Sequence, residues 1–148
     1  MLISSAHHNT KWTDMFSYYT KELTEQAEKL LEFVGLYGKR FLISGDLSFG
    51  QQKLLEFAMA LMNEPKVLLL NEPTAGINPT LINGLIDRLK RANNEFGITL
   101  FVIEHNMRVV MNLAESIYCL AHGETLAKGS PEAIKQDQKV IDAYLGAH

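Results

Sequence analysis

The sequence predicts an α/β fold, and three observations carry that reading. Residues 67–70 and 98–103 are short unbroken apolar runs, and the segment between them has apolar positions at helical spacing. Strand, helix, strand in this order is a right-handed crossover joining two buried parallel strands. Such sheets place ligands beyond the carboxyl ends of their strands. Glu72 and the pair Glu104-His105 follow directly on those ends.

The other elements follow from periodicity and punctuation. From Leu23 the apolar positions Ala27, Leu30, Leu31 and Val34 mark an amphipathic helix that stops at Gly35. Met15, Phe16, Tyr18 and Tyr19 extend it or form a preceding turn. The pair His7-His8 stands in a polar leader without further ligands at metal spacing. A second helix is expected over residues 49–62, with Leu54, Leu55, Ala58, Met59, Leu61 and Met62 inward and Asn63-Glu64-Pro65 as its stop. Asn78 caps the crossover helix and Pro79 fills its first turn. Leu81, Ile82, Leu85, Ile86, Leu89, Ala92 and Phe96 form its inner face, and Gly97 closes it. Residues 107–114 read as a helix, residues 117–121 and 125–127 as a hairpin turning at His122-Gly123, and Ser130-Pro131 as the start of a final helix.

Composition bounds the function. At 148 residues and 47% hydrophobic content, one modest core is expected. The net charge of -3, with Lys and Arg scattered, argues against nucleic acid as a partner. The single Cys119 lies in an apolar run and reads as a buried structural thiol. No run approaches the roughly 18 apolar residues of a membrane span. Membrane association is therefore expected only through a partner.

Three segments carry chemistry. In Leu47-Ser48-Phe49-Gly50-Gln51, Ser48 and Gln51 make a capping-box pattern that needs no ligand. The same helix start exposes unpaired amides and a positive dipole end, to which a phosphate can bind beside the Ser48 hydroxyl. These two readings compete for one hydroxyl. Glu72 precedes Pro73, which withdraws a backbone donor and aims the carboxylate into the crevice. His105 follows the end of the second strand.

Taken jointly, residues 47–51, 68–76 and 102–105 resemble the signature, Walker B and switch-histidine segments of ABC ATPases. The resemblance implies a partial P-loop NTPase fold, a mostly parallel sheet with flanking helices, without the amino-terminal P-loop half. It implies that residues 1–64 belong to a helical subdomain with the signature helix, and residues 65–148 to the carboxyl-terminal part of the ATPase core. It makes Glu72 the general base, His105 the contact to the γ-phosphate and attacking water, and Ser48, Phe49, Gly50 and Gln51 the nucleotide-binding turn. Ala75-Gly76-Ile77-Asn78 resembles the D-loop that touches an opposing subunit.

Two departures stand out. Where the family has the magnesium-orienting Asp, this chain has Asn71, which keeps an oxygen and loses the charge. No P-loop pattern is found: Gly35-Leu36-Tyr37-Gly38-Lys39-Arg40 has its glycines too close together, and Arg40 replaces the hydroxyl residue. Within the family, the signature helix, the wording of residues 72–76, the helix end at residues 31–36 and the Tyr144-Leu145-Gly146 tail look most like the ATP-binding subunits of branched-chain amino acid importers.

That resemblance implies ATP and Mg2+ as ligands in an assembled complex, a second ATPase subunit and transmembrane permease subunits as partners, and a cytoplasmic place on the inner face of the membrane. The expectation is a truncated importer ATPase, inactive alone. The alternatives are a non-catalytic module donating its signature to a full-length partner, or an inactive fragment.

Overall fold

The computed structural model describes residues 21–144. The expected aromatic helix extension at residues 15–19, the His7-His8 pair and most of the 144–146 tail lie outside them. The chain divides into two units at Ile103/Glu104.

In the first unit, α1 (Lys21–Phe33) ends as read from the sequence. Gly35 takes φ 76, the Leu36 N–H donates back to the Leu31 carbonyl at 2.7 Å, and the Gly35 N–H to that of Glu32 at 2.9 Å. This reciprocal pair satisfies the last carbonyls of the helix. Arg88, on a later helix, adds a third donor: its Nε meets the Val34 carbonyl at 3.0 Å.

Two 3-10 turns, Tyr37–Lys39 and Ser44–Asp46, lead into α2 (Phe49–Leu61). The inner face of α2 differs from the reading. Phe57, Ala58, Leu61 and Met62 are buried, whereas Leu54, Leu55 and Met59 are only half-buried. The cause is aromatic: Phe57 stands 6.5 Å from Phe33, whose ring is 5.0 Å from Phe96, and large rings dominate such contacts.

Strand β1 (Val67–Asn71) pairs in parallel with β2 (Thr99–Ile103), Val67 opposite Thr99 through to Asn71 opposite Ile103. Between them runs α3 (Pro79–Phe96). Asn78 accepts from the Thr80 N–H at 3.0 Å, and Gly97 at φ 66 closes the helix. Ile82, Leu85, Ile86, Leu89 and Ala92 are buried as read, while Leu81 and Phe96 are exposed. The parallel crossover is thus present, but the strands are not buried on both faces. Burial alternates along each strand, leaving Val67, Leu69, Phe101 and Ile103 exposed. Side chains of a strand alternate between faces, and among the described residues only one face is covered.

In the second unit, α4 (Met107–Leu113) precedes an antiparallel hairpin of β3 (Ile117–Ala121) and β4 (Glu124–Gly129), with a register shift at Cys119/Leu120. The expected final helix is two short ones, α5 (Pro131–Gln136) and α6 (Gln138–Tyr144). Asp137 is extended, at φ -73 and ψ 116, and its carboxylate accepts from the Lys139 N–H at 2.9 Å. An Asp that bonds its own backbone two residues on breaks a helix locally. Ile117, Cys119, Ile134 and Val140 make this unit's core, with Val110, Met111 and Leu126 packed against it.

Candidate functional site

The first turn of α2 is the best-defined element of the site. Ser48 and Gln51 form the full capping box: the Ser48 Oγ accepts from the Gln51 N–H at 3.4 Å, and the Gln51 Oε1 accepts from the Ser48 N–H at 3.1 Å. This removes the competition expected from the sequence. The hydroxyl serves the cap as an acceptor, so its own proton stays available to an external oxygen. Ser48 is exposed, and the N–H groups of Phe49 and Gly50 come before any partner four residues back within the helix.

The second element is the loop after β1. Asn71 is the last ladder residue, and the Glu72 N–H donates to the Ile103 carbonyl at 2.8 Å. Glu72 therefore sits where both parallel strands end, and it is exposed. Its φ is 46, a left-handed conformation uncommon for a residue with a side chain. Glu64 and His122 share it, but the first follows a helix end and the second lies in a hairpin turn. At Glu72 the strained backbone starts a turn, closed by the Ala75 N–H on the Glu72 carbonyl at 3.0 Å and the Ile77 N–H on that of Thr74 at 3.1 Å.

The two elements touch. A Cβ added to Gly76 would meet the Phe49 ring at 2.8 Å, and one added to Gly50 would meet the Leu81 Cδ1 at 3.3 Å and the Ile77 Cγ2 at 3.8 Å. Gly50 is thus a close-approach glycine as well as part of a helix entrance. Ile77 is buried, an anchor of its loop, whereas Ala75, Gly76 and Asn78 remain exposed.

His105 belongs to the second unit and is exposed. The helix cap there is Asn106, which accepts from the N–H groups of Arg108 and Val109. The Glu104 carboxylate accepts from the N–H groups of His105 at 3.1 Å and Asn106 at 3.2 Å. The His105 ring is therefore carried one residue ahead of the cap, on a turn tied by its neighbour.

The first turn of α2 suits an anion, whereas position 71 offers a cation no charge. Among the described residues, no three His, Cys, Asp or Glu side chains converge as a metal would require, and Asn71 offers a neutral oxygen. A groove of about 370 Å³, lined by Leu30, Leu61, Pro65, Phe96 and Ile98, lies by the amino ends of β1 and β2. Glu72 stands at the opposite end of those strands.

A sequence profile described as ABC transporter matches residues 2–75, which is half of this chain. The chain belongs to the ABC transporter family. A second profile, branched-chain amino acid ATP-binding cassette transporter, matches residues 124–148 of this ABC chain. It is 37% identical over 134 residues to the high-affinity branched-chain amino acid transport ATP-binding protein BraF of Pseudomonas aeruginosa, covering 90% of this chain and 52% of that protein. Against LivG of Escherichia coli K12, described in the same words, identity is 35% over 134 residues, with the same two coverages of 90% and 52%. Among solved structures it resembles the ADP conformation of MJ1267, an ATP-binding cassette of an ABC transporter, at TM-score 0.77 and 31% identity, over 93% of this chain and 57% of that one. The ABC chain thus spans about half the length of the curated relatives it matches. Family members use nucleotide and Mg2+. Among the described residues no helix is long and apolar enough to cross a membrane.

Sequence reasoning missed the left-handed Glu72 and the Phe49–Gly76 contact. It also missed Gln52, whose Nε2 donates to the carbonyls of Ser44 and Leu47, each at 3.2 Å. A backbone angle and a contact between distant residues leave no local signal in one sequence.

Proposed function

We propose that this chain is the signature-bearing part of an ATP-hydrolysing subunit of a branched-chain amino acid transporter, working against a second ATPase subunit and attached to the membrane through permease subunits. On this reading it sits on the cytoplasmic side of the membrane, and residues 21–64 contribute to a helical subdomain. The observation that carries the reading is Glu72: an exposed carboxylate on strained backbone where two parallel strands end, in a family that hydrolyses ATP. Strain of this kind costs about 1–3 kcal/mol and is found preferentially at functional sites.

The roles follow from chemistry. The Ser48 hydroxyl and the Phe49 and Gly50 amides donate to the terminal phosphate of ATP held by an opposing subunit, and Gln51 keeps Ser48 in place. Glu72 accepts a proton from the attacking water, and the role given to His105 is contact with the γ-phosphate. Ala75, Gly76 and Asn78 face the opposing subunit, with Ile77 holding their loop. A bound magnesium ion would supply charge neutralisation at the phosphates, and at position 71 this chain would offer it only the neutral oxygen of Asn71.

Two arms test the proposal. The chain is first mixed with a complete relative subunit that has a P-loop and a disabled signature; Mg-ATP hydrolysis should reappear, and Ser48→Ala should weaken it. The chain is then joined behind the amino-terminal half of a relative. Glu72→Gln in that complete cassette should lower turnover by about 10²- to 10⁴-fold while ATP still binds. Absence of both effects would refute the reading. Asn71 favours a second reading, a non-catalytic donor of the signature, which predicts the first effect without the second.

A further inference from the structure

The segment that feeds α2 is poorly held by burial. Phe41 is 87% and Ile43 75% exposed, and of residues 41–46 none is buried. Its local hydrogen bonds, Asp46 N–H to the Ile43 carbonyl at 2.9 Å and Leu47 N–H to that of Ser44 at 3.2 Å, close the 3-10 turn on itself. They do not tie it to the helix.

Gln52 does. Its backbone N–H donates to the Ser48 carbonyl at 2.9 Å, and its side-chain Nε2 donates to the Ser44 and Leu47 carbonyls at 3.2 Å each. One residue thereby grips both ends of the turn and the cap residue that follows. On the other flank, the first turn of α2 is braced by Phe49 against Gly76 and by Gly50 against Leu81. The Ser48 hydroxyl is thus held between the packing of Phe49 and Gly50 on one side and, on the other, the buried Leu47 side chain together with the Gln52 carboxamide that fixes its backbone.

We propose that Gln52 is a positioning residue: its carboxamide fixes the approach of residues 44–47 to α2, and so the aim of the Ser48 hydroxyl and of the Phe49 and Gly50 amides at a phosphate group. This rests on the reading of that turn as phosphate-facing. A carbonyl oxygen needs a donor opposite it, so the exchange of amide for carboxylate at constant shape is the decisive perturbation. Gln52→Glu sets a negative acceptor against two carbonyls. Gln52→Lys restores donors on a stem of similar reach.

The experiment has two readouts. In the isolated chain, backbone hydrogen exchange at Gln51 and Gln52 should be at least about threefold faster in Gln52→Glu, near wild type in Gln52→Lys, and unchanged along α1. In the mixture with a signature-disabled complete subunit and Mg-ATP, Gln52→Glu should lower the restored kcat by about tenfold, the scale of two neutral hydrogen bonds. The concentration of chain giving half-maximal restoration should stay the same, and Gln52→Lys should recover most of the rate. A merely structural role would instead lower the melting temperature and weaken assembly. Unchanged exchange in Gln52→Glu overturns the proposal, as does wild-type kcat in Gln52→Glu or a Gln52→Lys as impaired as Gln52→Glu. If Ser48→Ala weakens restoration and Gln52→Glu does not, the phosphate-facing turn stands and Gln52 positioning falls. If the wild-type chain restores nothing, the phosphate-facing reading falls and takes the proposal with it.

Discussion

Phe49, the first residue of α2, lies so close to Gly76 that a single added methyl would stand 2.8 Å from its ring. The helix entrance and the loop after β1 are therefore one packed unit, although 27 positions separate the two residues in the sequence. Gly76 also takes φ 71, where a Cβ is strained. Gly76→Ala should destabilise the fold by about 1–3 kcal/mol in urea unfolding. In a Phe49→Ala background the cost should shrink, because the collision is gone and only the backbone strain remains. Strict additivity of the two substitutions would show that the ring and the loop do not press on each other.

Asn71 ends the β1 ladder beside Glu72 and is exposed. Restoring a carboxylate there should strengthen Mg2+-dependent nucleotide binding in a complete cassette. Two unit charges about 4 Å apart are worth roughly 4 kcal/mol at an effective dielectric near 20, and an exposed position realises only a fraction of it. Calorimetric titration of Mg-ATP into Asn71→Asp and wild type checks this. Equal affinities would mean that position 71 does not sense the metal.

The bare face of the β1–β2 pair carries Leu69 at 73% and Phe101 at 57% exposure, beside Val67 and Ile103. Contiguous apolar surface on a sheet that is two-stranded among the described residues promotes association. The chain should sediment as concentration-dependent oligomers, and Leu69→Lys with Phe101→Lys should shift it towards monomer. A wild-type chain that stays monomeric at high concentration contradicts this.

Cys119 is buried in the hairpin core. Burial, and to a lesser extent the charge of Asp137, pushes its thiol above the ordinary range. Since the thiolate is the reactive form, alkylation by iodoacetamide at pH 8 should be much slower in the folded chain than after denaturation. The sign for stability follows: the contribution is complete below the unfolded thiol's value of about 8.5 and is lost as pH rises through the folded value. Equal alkylation rates before and after denaturation would place the thiol at the surface.

Elements whose signals are local were legible in the chain before any folding was considered. Ser48 with Gln51, Asn78 with Pro79, and the glycines at 35 and 97 each act within about one helical turn, so the ends of α1, α2 and α3 were legible from neighbouring residues alone. The apolar runs at 67 and 98 likewise announced a parallel pair, and the order of motifs announced the family. Long-range packing set which strand face is bare and which ring fills the inner side of α2, and the left-handed Glu72 was visible only in the folded backbone. The folded structure also shows that Gly50 and Gly76 are small because Leu81, Ile77 and Phe49 need the room, and that Gln52 grips the turn before its helix. The physical reason is range: caps and turns are settled by hydrogen bonds between near neighbours, whereas burial, strain and close approach are settled by whatever residue, far along the chain, packs against them.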